Sequence, residues 1–347
     1  MVTFRLSKQG WCVIFILVAV FVLYYLSGSS YVGRLQGDVI SIRTLLTQSI
    51  YLSEDAGYFI ASTYSPSSLE TRAKASAGGL IKELLTNMDL ASHSVIVSGL
   101  SKFFPTVRVI SEEHPPSTSP FFNHAGDPFH SSFEKELSDS DFFVPASDLT
   151  VWVDPLDATQ ELTEGLLEYV TVMICITLRG HPIAGVIHQP FTHRTYWAWR
   201  DHGISSDLAK IMSDAATSKL ASDVLVVTHS RSHLNTSLGQ SVIDAFKPQQ
   251  LLLLPAGGSG FKILSLIQQK AHLYIHPSST RRWDVCAAHA VLEAAGGRIT
   301  GLDGSQLSYD PSSPAVIPKT TGLYAASSKD LYDKWKPMAS KLIPLQP

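Results

Sequence analysis

The chain has 347 residues, of which 45% are hydrophobic and 16% are charged, and its formal net charge is −3 at pH 7. This length and composition are typical of a folded protein with a large core and exclude a disordered chain. The slight negative charge argues against binding to a nucleic acid polymer, although a small nucleotide can still bind to a local group of cations.

The N-terminal segment differs from the rest of the chain. Residues 9–33 carry no charge, and residues 11–26 are all apolar or aromatic. About 20 residues of α-helix cross a bilayer, so we predict a short cytosolic tail over 1–10 and a transmembrane signal-anchor helix over 11–31. A cleaved signal peptide is the alternative, but its apolar region usually has only about 7–15 residues. The anchor predicts a single-pass type II protein with a lumenal domain over 37–343.

Three cysteines and one sequon bear on the compartment. Cys12 lies in the apolar segment, while Cys175 and Cys286 lie in apolar runs of the predicted domain. We interpret Cys175 and Cys286 as buried thiols rather than a disulfide or a metal-binding pair. Asn235 opens the glycosylation triplet Asn-Thr-Ser, which fits a lumenal domain, although such triplets are frequent by chance.

Hydrophobic periodicity predicts a layered α/β protein with helices packed on sheets. The first half contains helices over 37–63 and 92–104, a strand over 107–110, a long loop insertion over 115–148 with one helical turn at 133–137, and strands over 149–153, 170–178, 183–188 and 195–199. The second half contains strands over 224–228, 251–254, 271–275 and 323–326, helical segments after the first two of these, and helices over 283–295 and 331–342.

The densest motif is the run WVDPLDAT, which places Asp154 and Asp157 after a predicted strand. Pro155 prevents helix continuation and stiffens the turn, so both carboxylates and the Leu156 carbonyl can point at one spot. Oxygen ligands are those that Mg²⁺ prefers. The motif therefore predicts one side of a metal site.

Other acidic residues stand far away in the sequence. Asp89 alone would be a helix N-cap, Asp284 alone would be an N-terminal helix charge, and Glu112 with Glu113 would be an exposed loop. Their occurrence together with the WVDPLDAT run indicates a shared metal site.

These segments resemble the lithium-sensitive, Mg²⁺-dependent phosphatases of the inositol monophosphatase superfamily. The resemblance extends over about residues 37–342, and its motifs are Asp89, the run EEH from Glu112, the run DPLDAT from Asp154 and the run WDVCA from Trp283. It implies an α-β-α-β-α sandwich of the inositol monophosphatase and fructose-1,6-bisphosphatase type, with two or three Mg²⁺ ions in the site.

The resemblance also implies roles for individual residues. One metal would be held by Glu112, Asp154 and the Leu156 carbonyl, and a second by Asp154, Asp157 and Asp284. Asp89 and Thr159 would position and deprotonate the attacking water, with the Thr159 hydroxyl donating to Asp89 or to Glu112. Phosphate would then pass directly to water without a covalent intermediate.

Longer segments resemble the members of the superfamily that hydrolyse adenosine 3',5'-bisphosphate to AMP in the Golgi, in support of sulfation. The substrate contacts implied by this resemblance are Asp89, Thr159, Ser230, His233, Gly258, Lys262 and Asp284. An inositol phosphate phosphatase with the same metals is the alternative, and a membrane-tethered nucleotide-binding protein without turnover is a rival of another class. The sequence does not decide whether the protein is a monomer or a homodimer.

Two features depart from the relatives. Ala288 and His289 stand where these proteins carry Gly-Asn, and the insertion over 115–148 is longer than in soluble members. We expect the first change to reshape the substrate pocket without disturbing the metal ligands.

Overall fold

The computed structural model of the chain describes residues 38–65, 71–73, 84–114, 137, 141–217, 224–232 and 236–343. The predicted tail over 1–10, the predicted anchor over 11–31 and most of the insertion over 115–148 lie outside these residues. Among the described residues, no helix is both long enough and apolar enough to cross a bilayer.

The helices of the described residues carry labels in chain order. They are α1 Ile42–Thr63, α2 Asn87–Phe103, α3 Thr159–Thr163, α4 Ser206–Thr217, α5 Thr236–Phe246, α6 Ser259–Ile267, α7 Arg282–Ala294 and α8 Lys329–Ala339. Short 3₁₀ turns are Ala146–Asp148, Leu167–Tyr169 and Ser340–Leu342.

The strands are labelled in the same way. They are β1 Val39–Ser41, β2 Thr71–Ala73, β3 Leu84–Thr86, β4 Arg108–Ser111, β5 Phe143–Pro145, β6 Leu149–Asp157, β7 Thr171–Leu178, β8 His181–Gln189, β9 Arg194–Trp199, β10 Gly203–Ile204, β11 Leu225–Ser230, β12 Leu251–Ala256, β13 Leu273–His276, β14 Thr280–Arg281, β15 Arg298–Thr300, β16 Val316–Ile317 and β17 Leu323–Ala326.

The first large sheet has the strand order β10-β9-β8-β7-β6-β4. Neighbouring strands from β6 to β10 are antiparallel, whereas β4 runs parallel to β6. Helices α1 and α2 cover one face of this sheet, where residues such as Leu46, Ile50 and Ile174 are fully buried. The antiparallel hairpins predicted for the first half are therefore present.

The second large sheet has the order β12-β11-β13-β17-β15. Helices α6 and α7 lie between the two sheets, and their apolar faces contact both. Helices α5 and α8 cover the outer face of the second sheet, where Phe246, Tyr324 and Trp335 are buried. The five layers follow the order α-β-α-β-α, which confirms the predicted layered α/β fold.

Two local predictions need correction, and one helix has no counterpart among the predicted elements. Helix α2 begins at Asn87 rather than at residue 92, because Thr86 is its N-cap and forms a reciprocal capping box with Asp89. Asp89 is therefore in the first turn of the helix and is not its N-cap. Helix α4, which the sequence analysis did not predict, buries Leu208, Ile211 and Ala215 at helical spacing.

Cys175 and Cys286 are linked by a disulfide, so the prediction of two buried thiols is wrong. Their Cα atoms lie 5.7 Å apart, within the range that a disulfide needs. Cys175 lies in β7 and Cys286 lies in α7, elements that the fold packs face to face. The bond therefore joins the first sheet to the middle helical layer.

Candidate active site

Glu112 and Asp154 meet because β4 and β6 are parallel neighbours. In this pair Ser111 lies opposite Val153, so the next residue on each strand is one of the two carboxylates. The Glu112 amide also donates to the Val153 carbonyl at 3.0 Å. Carboxyl ends of parallel strands lie at one edge of a sheet, which is a common position for a ligand site.

A β-bulge at the end of β6 presents Asp154 and Asp157 to one region. Asp154 lies opposite Met173 and Asp157 opposite Thr171, so three steps on β6 match two on β7. Two residues three positions apart would face opposite sides of a regular strand. The extra residue of the bulge shifts the alternation by one, so both carboxylates face the same side. The Ser92 hydroxyl donates to the Pro155 carbonyl and fixes the turn from the α2 side.

Asp284 reaches the same place from the middle layer, in the first turn of α7. Its Oδ2 accepts hydrogen bonds from the Thr280 hydroxyl at 2.7 Å and from the Arg281 amide at 2.9 Å. These contacts fix the carboxylate at the helix N-terminus, where the macrodipole favours negative charge.

Glu112, Asp154 and Asp284 form one carboxylate cluster. One oxygen from each lies within 4.8 Å of the others. Oδ1 of Asp154 is buried and has no hydrogen-bond partner within the described part of the chain. Burial, followed by repulsion from Glu112 and other carboxylates, raises the pKa of Asp154 well above its usual value. A buried oxygen without a donor, surrounded by like charges, fits a bound cation.

Asp157 lies beside this cluster but is held by other groups. Its Oδ2 accepts from the Gly260 amide at 2.9 Å and from the Thr171 hydroxyl at 3.2 Å. Burial raises the pKa of Asp157 to about 6, although the Lys262 ammonium lowers it. Burial likewise raises the pKa of Asp284 to about 7, and Glu112 adds to the shift. No local sequence pattern marks Thr171 and Thr280 as the residues that hold these carboxylates.

Thr159 and Asp89 form a second polar group at the site. The Thr159 hydroxyl donates to Oδ1 of Asp89 at 2.9 Å and lies 3.3 Å from the Leu156 carbonyl. Asp89 also accepts from the Thr86 amide at 2.8 Å. Asp89 and Glu112 are the two acceptors expected for the Thr159 hydroxyl, and the structure shows the hydrogen bond to Asp89.

The glycine-rich segment before α6 packs directly against this region. Gly258 has φ of +58°, and a Cβ added there would lie 2.7 Å from the Tyr169 carbonyl oxygen and 3.0 Å from Oδ2 of Asp157. Lys262 is buried, and its ammonium lies 5.4 Å from the centre of the Tyr274 ring. Burial lowers the pKa of Lys262 to about 8, and Asp157 opposes this shift.

The end of β11 approaches the same side through an ion pair that the sequence did not reveal. Arg231 binds Glu164 at 2.6 Å and Glu161 at 3.3 Å, which ties the Ser230 segment to α3. Ser230 itself is buried and lies 3.2 Å from the Ser232 hydroxyl, measured between the two Oγ atoms. His233 and Asn235 lie outside the described residues.

His289, which stands where the resembling phosphatases carry Asn, is buried in the middle layer. Its Nδ1 lies 3.0 Å from the Tyr309 hydroxyl, and its Nε2 lies 3.3 Å from Glu293. Ala288 is fully buried beside it. The histidine therefore connects α7 to the loop that carries Tyr309, and this contact is part of the packing around the helix.

Comparison with known proteins agrees with this geometry. The chain is 34% identical to "Inositol monophosphatase 3" of Danio rerio over 323 residues, which are 88% of this chain and 89% of the relative. It is 32% identical to "Golgi-resident adenosine 3',5'-bisphosphate 3'-phosphatase" of Rattus norvegicus over 332 residues, which are 89% of this chain and 90% of the relative. The two relatives carry names with different substrates.

The fold itself is also found in a solved structure, the extragenic suppressor protein suhB from Bartonella henselae. The TM-score is 0.61 at 16% identity, and the match covers 86% of this chain and 99% of that one. The sequence profile of the inositol monophosphatase family matches residues 42–340. The chain therefore belongs to the inositol monophosphatase family and is a phosphoric monoester hydrolase.

Proposed function

We propose that the chain is a Mg²⁺-dependent 3'(2'),5'-bisphosphate nucleotidase that hydrolyses adenosine 3',5'-bisphosphate to AMP and phosphate. The observation that carries its phosphatase chemistry is the cluster of Glu112, Asp154 and Asp284, in which Oδ1 of Asp154 is buried and has no donor within the described residues. A cation at this place would offset the burial and the repulsion that together raise the pKa of Asp154.

The donor set fits Mg²⁺ because every candidate ligand is an oxygen. Glu112, Asp154 and Asp284 would hold the metals, with Asp157 and the Leu156 carbonyl at their side. When bound, two divalent cations supply the charge that activates water and stabilises the leaving oxygen of the ester.

The residues of the chain orient the water. The Thr159 hydroxyl directs its proton to Asp89, so its lone pairs face away from that bond and can accept a hydrogen bond from the attacking water. Asp89 is in turn held by Thr86 at the start of α2. A neutral threonine is a weak base, so this pair positions the water and passes its proton on, and the positive charge of bound cations would lower the pKa of the water.

Support for a nucleotide substrate comes from the two segments that pack beside α3. The Ser230 segment is tied to α3 through Arg231, and the Gly258 segment lies against Asp157. Both segments belong to the stretches that resemble nucleotidases, and one relative over 89% of the chain carries that activity in its name. Lys262 and Ser230, with His233, are the proposed contacts of the nucleotide.

We also place the enzyme in the Golgi membrane, with residues 11–31 as its anchor and residues 37–343 in the lumen. The name of the rat relative and the uncharged apolar run at the N-terminus support this. The Cys175–Cys286 disulfide agrees with it, because disulfides persist in the oxidising lumen and are rare in the cytosol. A sugar chain on Asn235 would follow from the same topology.

A substrate panel tests the proposal. The full-length chain in detergent is given adenosine 3',5'-bisphosphate, inositol 1-phosphate or inositol 1,4-bisphosphate, and phosphate release is followed with Mg²⁺ and with a chelator. We expect kcat/KM for the nucleotide to exceed that for the inositol phosphates by at least about tenfold, since a subsite that pairs buried polar groups discriminates strongly. A preference for an inositol phosphate would establish the alternative function.

A matched pair of variants separates the site from the rest of the surface. Asp154→Asn removes a charge in the cluster, whereas Asp148→Asn removes one from the ion pair with Arg179 at the other end of β6. We expect the first to abolish turnover and the second to retain it. Full activity of Asp154→Asn would overturn the site assignment.

A further inference from the structure

Each cysteine of the Cys175–Cys286 disulfide lies within two positions of a clustered carboxylate, by strand register for Cys175 and along the helix for Cys286. Cys175 pairs with Trp152 across β6 and β7, two residues before Asp154 on β6. Cys286 follows Asp284 by two residues in α7. The bond thus connects α7, which carries Asp284, to β7, the strand that pairs with the Asp154 strand β6.

The same place shows unusually close packing of helix on sheet. Gly185 lies opposite Cys175 on β8, and a Cβ added to it would lie only 2.5 Å from the Ala287 carbonyl oxygen. Both cysteines are almost fully buried. The disulfide is therefore part of the contact that sets the distance between α7 and the sheet.

This contact opposes a force that the site itself creates. Carboxylates whose oxygens lie within 4.8 Å of one another repel when they are charged. Movement of α7 away from the sheet would relieve the repulsion and would disperse the cluster. A covalent bond from β7 to α7, less than one helical turn from Asp284, restricts that movement.

We propose that the Cys175–Cys286 disulfide positions Asp284 beside Asp154 and Glu112, so that the affinity of the site for divalent cations depends on this bond. The inference rests on the proposed metal site. The two cysteines touch no substrate and act through the carboxylates as positioning residues.

The chemistry of the bond agrees with the proposed lumenal domain. Two thiols lose two protons and two electrons, and a disulfide-bearing oxidant such as glutathione disulfide accepts them and becomes two thiols. A reducing compartment would reverse this reaction and weaken the metal site.

The test compares the full-length chain with two forms that lack the bond. One is Cys175→Ala/Cys286→Ala, and the other is the wild-type chain reduced with dithiothreitol, which retains every side-chain heavy atom of the site. Cys12→Ala is the control that removes a cysteine outside the bond. Thiols are counted by alkylation and mass spectrometry, Mg²⁺ affinity is measured by calorimetry on the metal-stripped chain, and circular dichroism monitors the fold.

We expect alkylation of Cys12 alone in the oxidised chain. Both forms without the bond should retain their circular dichroism and bind Mg²⁺ about tenfold more weakly, an effect of the size seen when groups that orient metal ligands are removed. Cys12→Ala should bind like the wild type. If one form without the bond unfolds, the other provides the comparison.

Free thiols at Cys175 and Cys286 in the oxidised chain, or an unchanged dissociation constant without the bond, would overturn the inference while leaving the proposed function intact. Failure of the oxidised wild type to bind Mg²⁺ would instead reject the metal site and the inference with it.

Discussion

The Thr159 hydroxyl donates a hydrogen bond of 2.9 Å to Oδ1 of Asp89, although 70 positions separate the two residues in the chain. This contact joins α3 to the first turn of α2, next to the Leu156 carbonyl. It gives the threonine a defined donor direction, which an isolated exposed hydroxyl lacks.

Replacement of Thr159 tests this relationship. Thr159→Val has nearly the same shape but no hydroxyl, and we expect kcat to fall by about 10²–10⁴-fold, the usual contribution of a group that handles a proton in the reaction. Thr159→Ser retains the hydroxyl and should recover most of this loss. Steady-state kinetics on both variants provide the comparison, and equal kcat for valine and wild type would show that the hydroxyl has no role.

Arg231 provides a test of how the Ser230 segment is held. Arg231→Ala removes the ion pairs to Glu161 and Glu164. Because the pair is partly exposed and screened by solvent, we expect KM for the nucleotide to rise only about two- to fivefold, with little change in kcat. Glu164→Gln breaks the shorter contact from the other side and should have a similar, smaller effect. A loss confined to kcat would assign Arg231 to the reaction itself.

Stability of the metal-free chain should depend on pH through Asp157 and Asp284. Their pKa values are raised to about 6 and about 7, so the folded state keeps protons that the unfolded chain has released. This contribution is fully present below about pH 4, the unfolded pKa of aspartate, and is lost as the pH rises through about 6 and 7. The urea midpoint should therefore decrease from about pH 5 to about pH 8. The decrease should be smaller in Asp284→Asn, and an increase in the wild type would contradict the account.

Gly185 tests the close approach of α7 to the first sheet. A methyl group there would lie 2.5 Å from the Ala287 carbonyl oxygen and 3.0 Å from Cβ of Ala290. We expect Gly185→Ala to lower the free energy of unfolding by about 1–3 kcal/mol, as overpacking of a dense core usually does. Urea denaturation measures this change. An unaltered midpoint would mean that α7 can move without cost.

The parts of the site that the sequence predicts are those with a local signal. Asp154 and Glu112 each follow an apolar strand, and the parallel pairing of those strands brings them together. Asp284 opens an alanine-rich helix whose glycine end is also visible in the sequence. Apolar runs and breaker residues act over a few positions, so these elements can be identified without the fold.

Other features depend on packing over long distances. Cys175 and Cys286 lie in apolar runs that look the same for a thiol and for a disulfide, and only the packing of α7 on β7 brings their Cα atoms to 5.7 Å. The contact of Arg231 with α3 arises in the same way. The start of α2 is different, since the spacing of Thr86 and Asp89 is a capping signal that the sequence itself carries.

Calorimetric titration of the metal-stripped chain with Mg²⁺, for the wild type and for Asp154→Asn, tests the central claim most directly. We predict saturable binding to the wild type and affinity at least about a hundredfold weaker in the variant, because a ligand should matter at least as much as the groups that orient it. Asp148→Asn should bind like the wild type. Equal Mg²⁺ binding by the wild type and Asp154→Asn, or none by the wild type, would contradict the assignment of Glu112, Asp154 and Asp284 as the metal site.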